Sequence, residues 1–236
     1  MNRRELLGTM GAAGVGLFGT TTGRADHGAK SSGERPALAP VEQFHLHFCG
    51  IHLGKKDPKT QMVVQHYCGP NGKNLHQCLL FDGQGKDAKL IGVEYIVPDD
   101  VFKSLPDEEK KYWHPHTYEV LAGGLIAPGM SRDDETKFMT ALLTTWGKTW
   151  HTWPDPTTAV PIGVPMLMWA ATGDGQIADK VIAARDKEFR VNCEKLRDLR
   201  GQAIGFEVPQ VPQPKSENDI GRQWTATGDD KPSKRK

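Results

Sequence analysis

The sequence has 236 residues, 37% of them hydrophobic and 25% charged, which suits one globular domain with unstructured ends and no second core. A formal charge of +1 provides no basic footprint for nucleic acid. The longest apolar run, residues 6–18, is diluted by glycine and too short to stay in a bilayer as a spanning helix, so no transmembrane anchor is expected in the mature form.

At the N-terminus, Arg3 and Arg4 are followed by Leu6, Leu7 and a weakly apolar Gly/Ala run. This is the pattern of a twin-arginine export signal, the alternative being a generic secretory leader that carries two arginines. A small-residue site at Gly23-Arg24-Ala25 predicts cleavage before Asp26 and a signal over residues 1–25. Removing Arg3, Arg4, Arg24 and Glu5 from 30 basic and 29 acidic residues turns the charge from +1 to −1. The export machinery is then an expected partner and the destination is periplasmic or secreted. Residues 26–40 read as a polar linker, 41–206 as the domain, and 207–236 as a disordered, proline- and charge-rich tail.

Within the domain, alternating apolar residues predict strands over 45–53, 62–68, 75–81 and 89–97. Short connections at 69–72 and near Asp82-Gly83 make these an antiparallel meander. Asp99 or Asp100 starts a short helix before Pro106, and 107–113 reads as another helical turn. Residues 117–126 are predicted as a strand with a bulge at Gly123-Gly124. A helix opens at Ser131 or Asp133 and carries Phe138, Met139, Leu142, Leu143 and Trp146 at three- and four-residue steps before Gly147 ends it. A buried strand over 164–171 follows. Asp174 caps a second helix with the stripe Ile177, Val181, Ile182, Arg185 and Phe189. The fold class is therefore α+β, a mainly antiparallel sheet (meander) covered by two or three helices in a single domain.

Three of the four cysteines lie in the tripeptide His-x-Cys, at His47/Cys49, His66/Cys68 and His76/Cys78. On an extended strand residues two apart share a face, so each tripeptide presents an imidazole and a thiol together. If those faces converge, they offer donors suited to zinc, copper or iron. Two plainer readings stand beside this: half-buried core residues, and a cross-strand disulfide such as Cys68 with Cys78 in an exported protein. A second cluster, His114, His116 and Glu119, has a cupin-like flavour, although simple alternation points Glu119 away from His116. Glu94 sits inside the apolar run 91–96, where an unpaired carboxylate costs several kcal/mol and therefore needs a partner. The tryptophan-rich segment 148–154 reads as core or rim packing.

The strings His45-Leu46-His47-Phe48-Cys49-Gly50-Ile51-His52, His66-Tyr67-Cys68, Gln77-Cys78, Leu90-Ile91-Gly92-Val93-Glu94-Tyr95, Trp113-His114-x-His116-x-Tyr118-Glu119-Val120, Gly147-Lys148, His151-x-Trp153 and Pro161-Ile162-Gly163-x-Pro165 resemble those of the oil body-associated proteins of plants and their bacterial and fungal relatives. The likeness runs from about residue 40 to about 205 in one order, and His76 falls outside it. In plants the resemblance implies association with seed lipid droplets. It also implies relatives that keep Cys49, Cys68 and Cys78 in a reducing cytoplasm, which argues against a disulfide there.

Together these readings predict an exported protein of that family that binds a transition-metal ion (zinc, copper or iron), with ligands drawn from His47, Cys49, His66, Cys68, Cys78, His114 and His116. Glu94 serves beside the metal or as the acid/base of a metalloenzyme. The alternative is a module for lipid or another small apolar molecule, with structural histidines and cysteines.

Overall fold

Period-two alternation in the first half of the domain does produce long antiparallel strands. The computed structural model describes residues 39–211, so the proposed signal, most of the linker and most of the tail lie outside the described residues. After α1 (Ala39–Glu42), strands β1 (Leu46–Gly54), β2 (Gln61–Pro70), β3 (His76–Phe81) and β4 (Leu90–Pro98) pair as successive neighbours. Two short helices follow, α2 (Asp99–Ser104) and α3 (Asp107–Lys110), each preceded by proline and acidic in its first turn, where the helix dipole favours negative charge.

The second half closes the sheet on itself. It contributes β5 (His114–Pro115), α4 (Thr117–Leu121), α5 (Arg132–Leu142), β6 (Thr145–His151), β7 (Met166–Ala170), α6 (Asp179–Phe189) and α7 (Cys193–Ile204). β6 pairs with β4 along its whole length, Glu94 opposite Thr149, and β7 bridges β6 to β1, with His52 opposite Ala170. The ring β1-β2-β3-β4-β6-β7 is a closed antiparallel barrel, which is more than the meander alone and leaves no open edge around the ring. Because β7 is short, its place beside β6 is taken further along by β5, His114 opposite Gly147. Beside β1 it is taken by Ile126, which exchanges both backbone hydrogen bonds with Cys49 at 2.8 and 2.9 Å.

Directly opposed residues share a face. The register therefore puts Phe48, Gly50 and His52 of β1 inside the barrel with Val64, His66 and Cys68, Cys78 and Leu80, Gly92, Glu94 and Ile96, Gly147, Thr149 and His151, and Met168 and Ala170. Part of this interior is hydrocarbon: Phe48, Val64, Leu80 and Ile96 cluster with Leu121 and Leu125 beyond β5 and with Met139 of α5. The rest is polar and forms the site described below.

Three expectations are corrected. Residues 117–126 open as helix α4, with Val120 N–H donating to His116 O and Ala122 N–H to Tyr118 O; every residue of α4 is buried, so the polar face that would have revealed a helical period is absent. Gly123, at φ 76°, then turns the chain out of it. The helix expected to reach Gly147 stops at Leu142, and Trp146 and Gly147 belong to β6, although Trp146 fits the helical stripe. Asp174 caps no helix: it accepts hydrogen bonds from Tyr118 Oη and from both terminal nitrogens of Arg197, and α6 starts later, at Asp179. A further helix, α7, is capped by Asn192 accepting from Lys195 N–H and adds to the helices expected from the sequence.

Two buried arginines hold α4 and the turn after it. Arg185 of α6 donates to Gly124 O at 2.7 Å and Gly123 O at 2.9 Å. Arg200 of α7 donates to Val120 O and Leu125 O, both at 2.7 Å, and to Glu135. Arg185 is fully buried and bonded to Asp186. Arg185→Met would strip two buried carbonyls of charged donors, and urea unfolding should show a loss of about 3 kcal/mol or more; a loss below about 1 kcal/mol would mean the clamp is dispensable.

Candidate metal centre

Glu94, only 2% exposed, stands in the polar part of the barrel with imidazoles arriving from four other segments. His66 of β2 places Nε2 at 2.9 Å from Glu94 Oε2, and His52 of β1 places Nε2 at 3.0 Å from that same His66 nitrogen. On the other carboxylate oxygen, His116 Nε2 lies at 3.3 Å and His114 Nε2 at 3.5 Å from Oε1. Behind these, His151 Nε2 is 3.0 Å from His52 Nδ1, and Glu119 Oε1 is 3.9 Å from His116 Nε2. His116 and Glu119 are three residues apart across the start of α4 and so share a face, which corrects the expectation that Glu119 points away. All seven side chains are buried.

The hydrogen-bond partners settle where protons sit on two of the rings. His66 Nδ1 lies 3.2 Å from Val64 O, which can only accept, so Nδ1 carries hydrogen. Thr145 donates its one hydroxyl proton to Leu142 O, so it accepts from His116 Nδ1–H at 2.7 Å. A neutral ring protonated on Nδ1 turns a bare Nε2 lone pair outward, and both rings aim that nitrogen at the Glu94 carboxylate. Electron-rich atoms facing one another at such distances require a cation between them, either a second ring proton or a metal ion. Burial opposes charging of His116, but the bond to Glu94 and the neighbouring carboxyl groups of Glu119 and Glu94 outweigh it and raise its pKa. Burial likewise works to raise the pKa of Glu94, and the bonds from His116 and His66 overcome it, holding Glu94 well below the usual carboxylate range.

The neighbouring imidazoles stay neutral near pH 7. Burial drives His114 and His151 down to about 3 and lowers His52 strongly, with the nearby rings adding to that effect for His52. Burial raises Glu119 to about 8. Neutral imidazole is the form that binds metals, and Nδ1–H donated to a backbone carbonyl or hydroxyl is the usual way of orienting such a ligand. Space is kept by glycine: a Cβ on Gly147 would collide with Glu94 Oε1 and His116 Nε2, and one on Gly50 would reach Leu125 Cδ1 at 3.0 Å and Glu119 Oε2 at 3.6 Å.

Of the predicted residues, the structure gathers His66, His114, His116 and Glu94. It does not bring the three His-x-Cys faces together. Phe48 is the residue opposite His66, so His47 and Cys49 lie on the outer face of the barrel. There Gln65 links them, accepting from His47 Nε2 at 3.0 Å and donating to Cys49 Sγ at 3.5 Å. Burial pushes the Cys49 thiol up to about 12, the wrong direction for a ready thiolate ligand. Cys68 and Cys78 are joined in a disulfide across β2 and β3, which is the cross-strand alternative and not the metal-ligand reading or the one implied by cytoplasmic relatives, and their sulfurs are spent on each other. His52, His151 and Thr149 were missed. Their signal is the alternation Gly50-x-His52 and Gly147-x-Thr149-x-His151, hidden in the latter by the helical reading of Trp146.

A closed antiparallel barrel with a buried histidine–glutamate cluster defines the class of protein, one built to keep polar donors inside a sealed sheet. Residues 38–204 match the family described as "Protein of unknown function (DUF1264)", and the chain belongs to that family. Among curated proteins it is 40% identical over 173 residues to oil body-associated protein 1B of Arabidopsis thaliana, covering 73% of this chain and 72% of that one. It is 36% identical over 204 residues to oil body-associated protein 1A of Zea mays, covering 86% and 82%. It is 34% identical over 181 residues to oil body-associated protein 2A of Zea mays, covering 75% and 71%. No solved structure matches.

The cysteine arrangement is directly measurable. Unfolded without reductant, the protein should show two reactive thiols, Cys49 and Cys193, of its four cysteines. Four thiols would remove the bond, and reduction should lower stability by about 2–3 kcal/mol for a loop of this size.

Proposed function

We propose that the barrel interior binds a first-row transition-metal ion through Glu94 and the imidazoles of His52, His66, His114 and His116. The observation that carries this reading is the commitment of His66 Nδ1–H and His116 Nδ1–H to fixed acceptors, which leaves two Nε2 lone pairs aimed at a buried carboxylate. Glu94 is then a ligand rather than a neighbour of the ion. With the sulfur atoms elsewhere, the nitrogen and oxygen donors suit zinc or iron(II) better than copper(I).

Protein purified from the compartment where it folds should contain zinc or iron in a fixed ratio of at least one per chain by elemental analysis. His66→Ala and His116→Ala should each lower that content. A site saturated at a hundredfold its dissociation constant adds about 2.7 kcal/mol, so stripping the ion should lower the melting temperature by roughly 5–10 °C for a domain of this size. Protein that takes up neither ion and whose melting is indifferent to both would end the reading. It would leave the apolar-ligand alternative, in whose favour Val160, Ile162 and Val164 stand exposed at 58%, 61% and 81%.

We also infer export through the twin-arginine route to the periplasm or beyond, on the support of Arg3, Arg4 and the weakly apolar run after them. Replacing both arginines by lysine should trap the precursor in the cytoplasm on cell fractionation. Undiminished export of that variant would instead indicate a general secretory leader.

A further inference from the structure

Resting on the metal-binding reading, the geometry points to two ions rather than one, bridged by the two oxygens of Glu94. The donors fall into two sets. Oε2 faces His66 Nε2 at 2.9 Å, and that nitrogen faces His52 Nε2 at 3.0 Å. Oε1 faces His116 Nε2 at 3.3 Å and His114 Nε2 at 3.5 Å. Around an ion with bonds of about 2.1 Å, neighbouring donors lie about 3.0–3.4 Å apart, so the spacing in each set is close to that of ligands sharing one ion.

The two sets do not merge. Within His52, His66 and Glu94, and within Glu94, His114 and His116, the donor atoms lie within 4.8 Å of one another, and Glu94 alone belongs to both. Among the described residues these donors form no larger group within 4.8 Å, and donors of a single ion are separated by at most about 4.2 Å, twice a bond length. A carboxylate that offers one oxygen to each of two imidazole pairs is the arrangement of a bridged two-metal site, where the ions sit about 3.5–4 Å apart.

The halves differ in their surroundings. The His114/His116 half has a second carboxylate at hand in Glu119, 3.9 Å from His116 Nε2. Behind the His52/His66 half stand His151, whose Nε2 lies 3.0 Å from His52 Nδ1, and the carbonyl of Val64 facing His66 Nδ1. Two imidazoles and a carboxylate oxygen in each half suit divalent zinc, iron or manganese and leave coordination positions open. The oxygen-richer half should take the harder ion when iron(II) or manganese(II) competes with zinc.

The test is the number of ions on the folded full-length mature chain. Protein stripped with chelator and reloaded with excess zinc is desalted and weighed by native mass spectrometry alongside elemental analysis. The expected result is two zinc ions per chain, falling to one in the His114→Ala/His116→Ala double variant and to one in His52→Ala. A wild-type count of one overturns the bridge while leaving metal binding intact, and a count of zero removes both. Two ions retained in both variants would place the second elsewhere and also overturn the proposal. Because the wild-type count decides, a variant that fails to fold does not block the test. Manganese loading supplies the second measurement: electron paramagnetic resonance should show two magnetically coupled ions, and independent spins would contradict a shared carboxylate.

Discussion

A carboxylate sealed inside a closed sheet has to be balanced where it stands, and much of the second half of this chain is arranged around doing that for Glu94. Its side chain leaves a strand that is apolar on both sides, in a barrel with no water-facing edge along the ring. Unpaired, it would cost several kcal/mol. Imidazoles from β2, β5 and the residue before α4 reach its two oxygens, and His52 of β1 stands against His66. Gly147 removes the one side chain that would intrude from β6. The short length of β7 matters for the same reason, because it opens the stretch of wall through which β5 delivers His114 and His116.

That wall segment needs external support, since α4 is buried on all sides and the turn after it exposes carbonyls to the protein interior. Arg185 and Arg200 supply it from α6 and α7, each satisfying two backbone oxygens. The helices that cover the sheet therefore do more than shield hydrocarbon. They fix the segment that carries His116 and Glu119, so that packing on the outside of the barrel is coupled to geometry at its centre.

The first four strands were legible because their turns and alternation are local signals, and Glu94 stood out because a carboxylate in an apolar run demands a partner. His114 and His116 were visible as a pair. The convergence of the His-x-Cys tripeptides was not decidable from spacing, because a shift of one residue in strand register swaps the faces. The pairing of Phe48 with His66 sends His47 and Cys49 outward and keeps Cys68 inside. β6 was lost because Phe138, Met139, Leu142, Leu143 and Trp146 keep helical steps across the end of α5, and with β6 went His151 and barrel closure itself. α4 reads as a strand in the sequence because a segment buried all round carries no period to distinguish the two.

β7 has a consequence for how anything reaches the interior. It is tied to β1 only over His52–Gly54 and to β6 only over Thr149–His151, whereas β1 and β2 are laced together from Leu46 to Leu53. A closed stave ring parts most cheaply at its shortest seams, and local openings of that kind are far less costly than global unfolding. Both seams begin at residues of the polar cluster, His52 on one side and Thr149 and His151 on the other. By that measure the weakest part of the wall around the centre is one five-residue strand, β7.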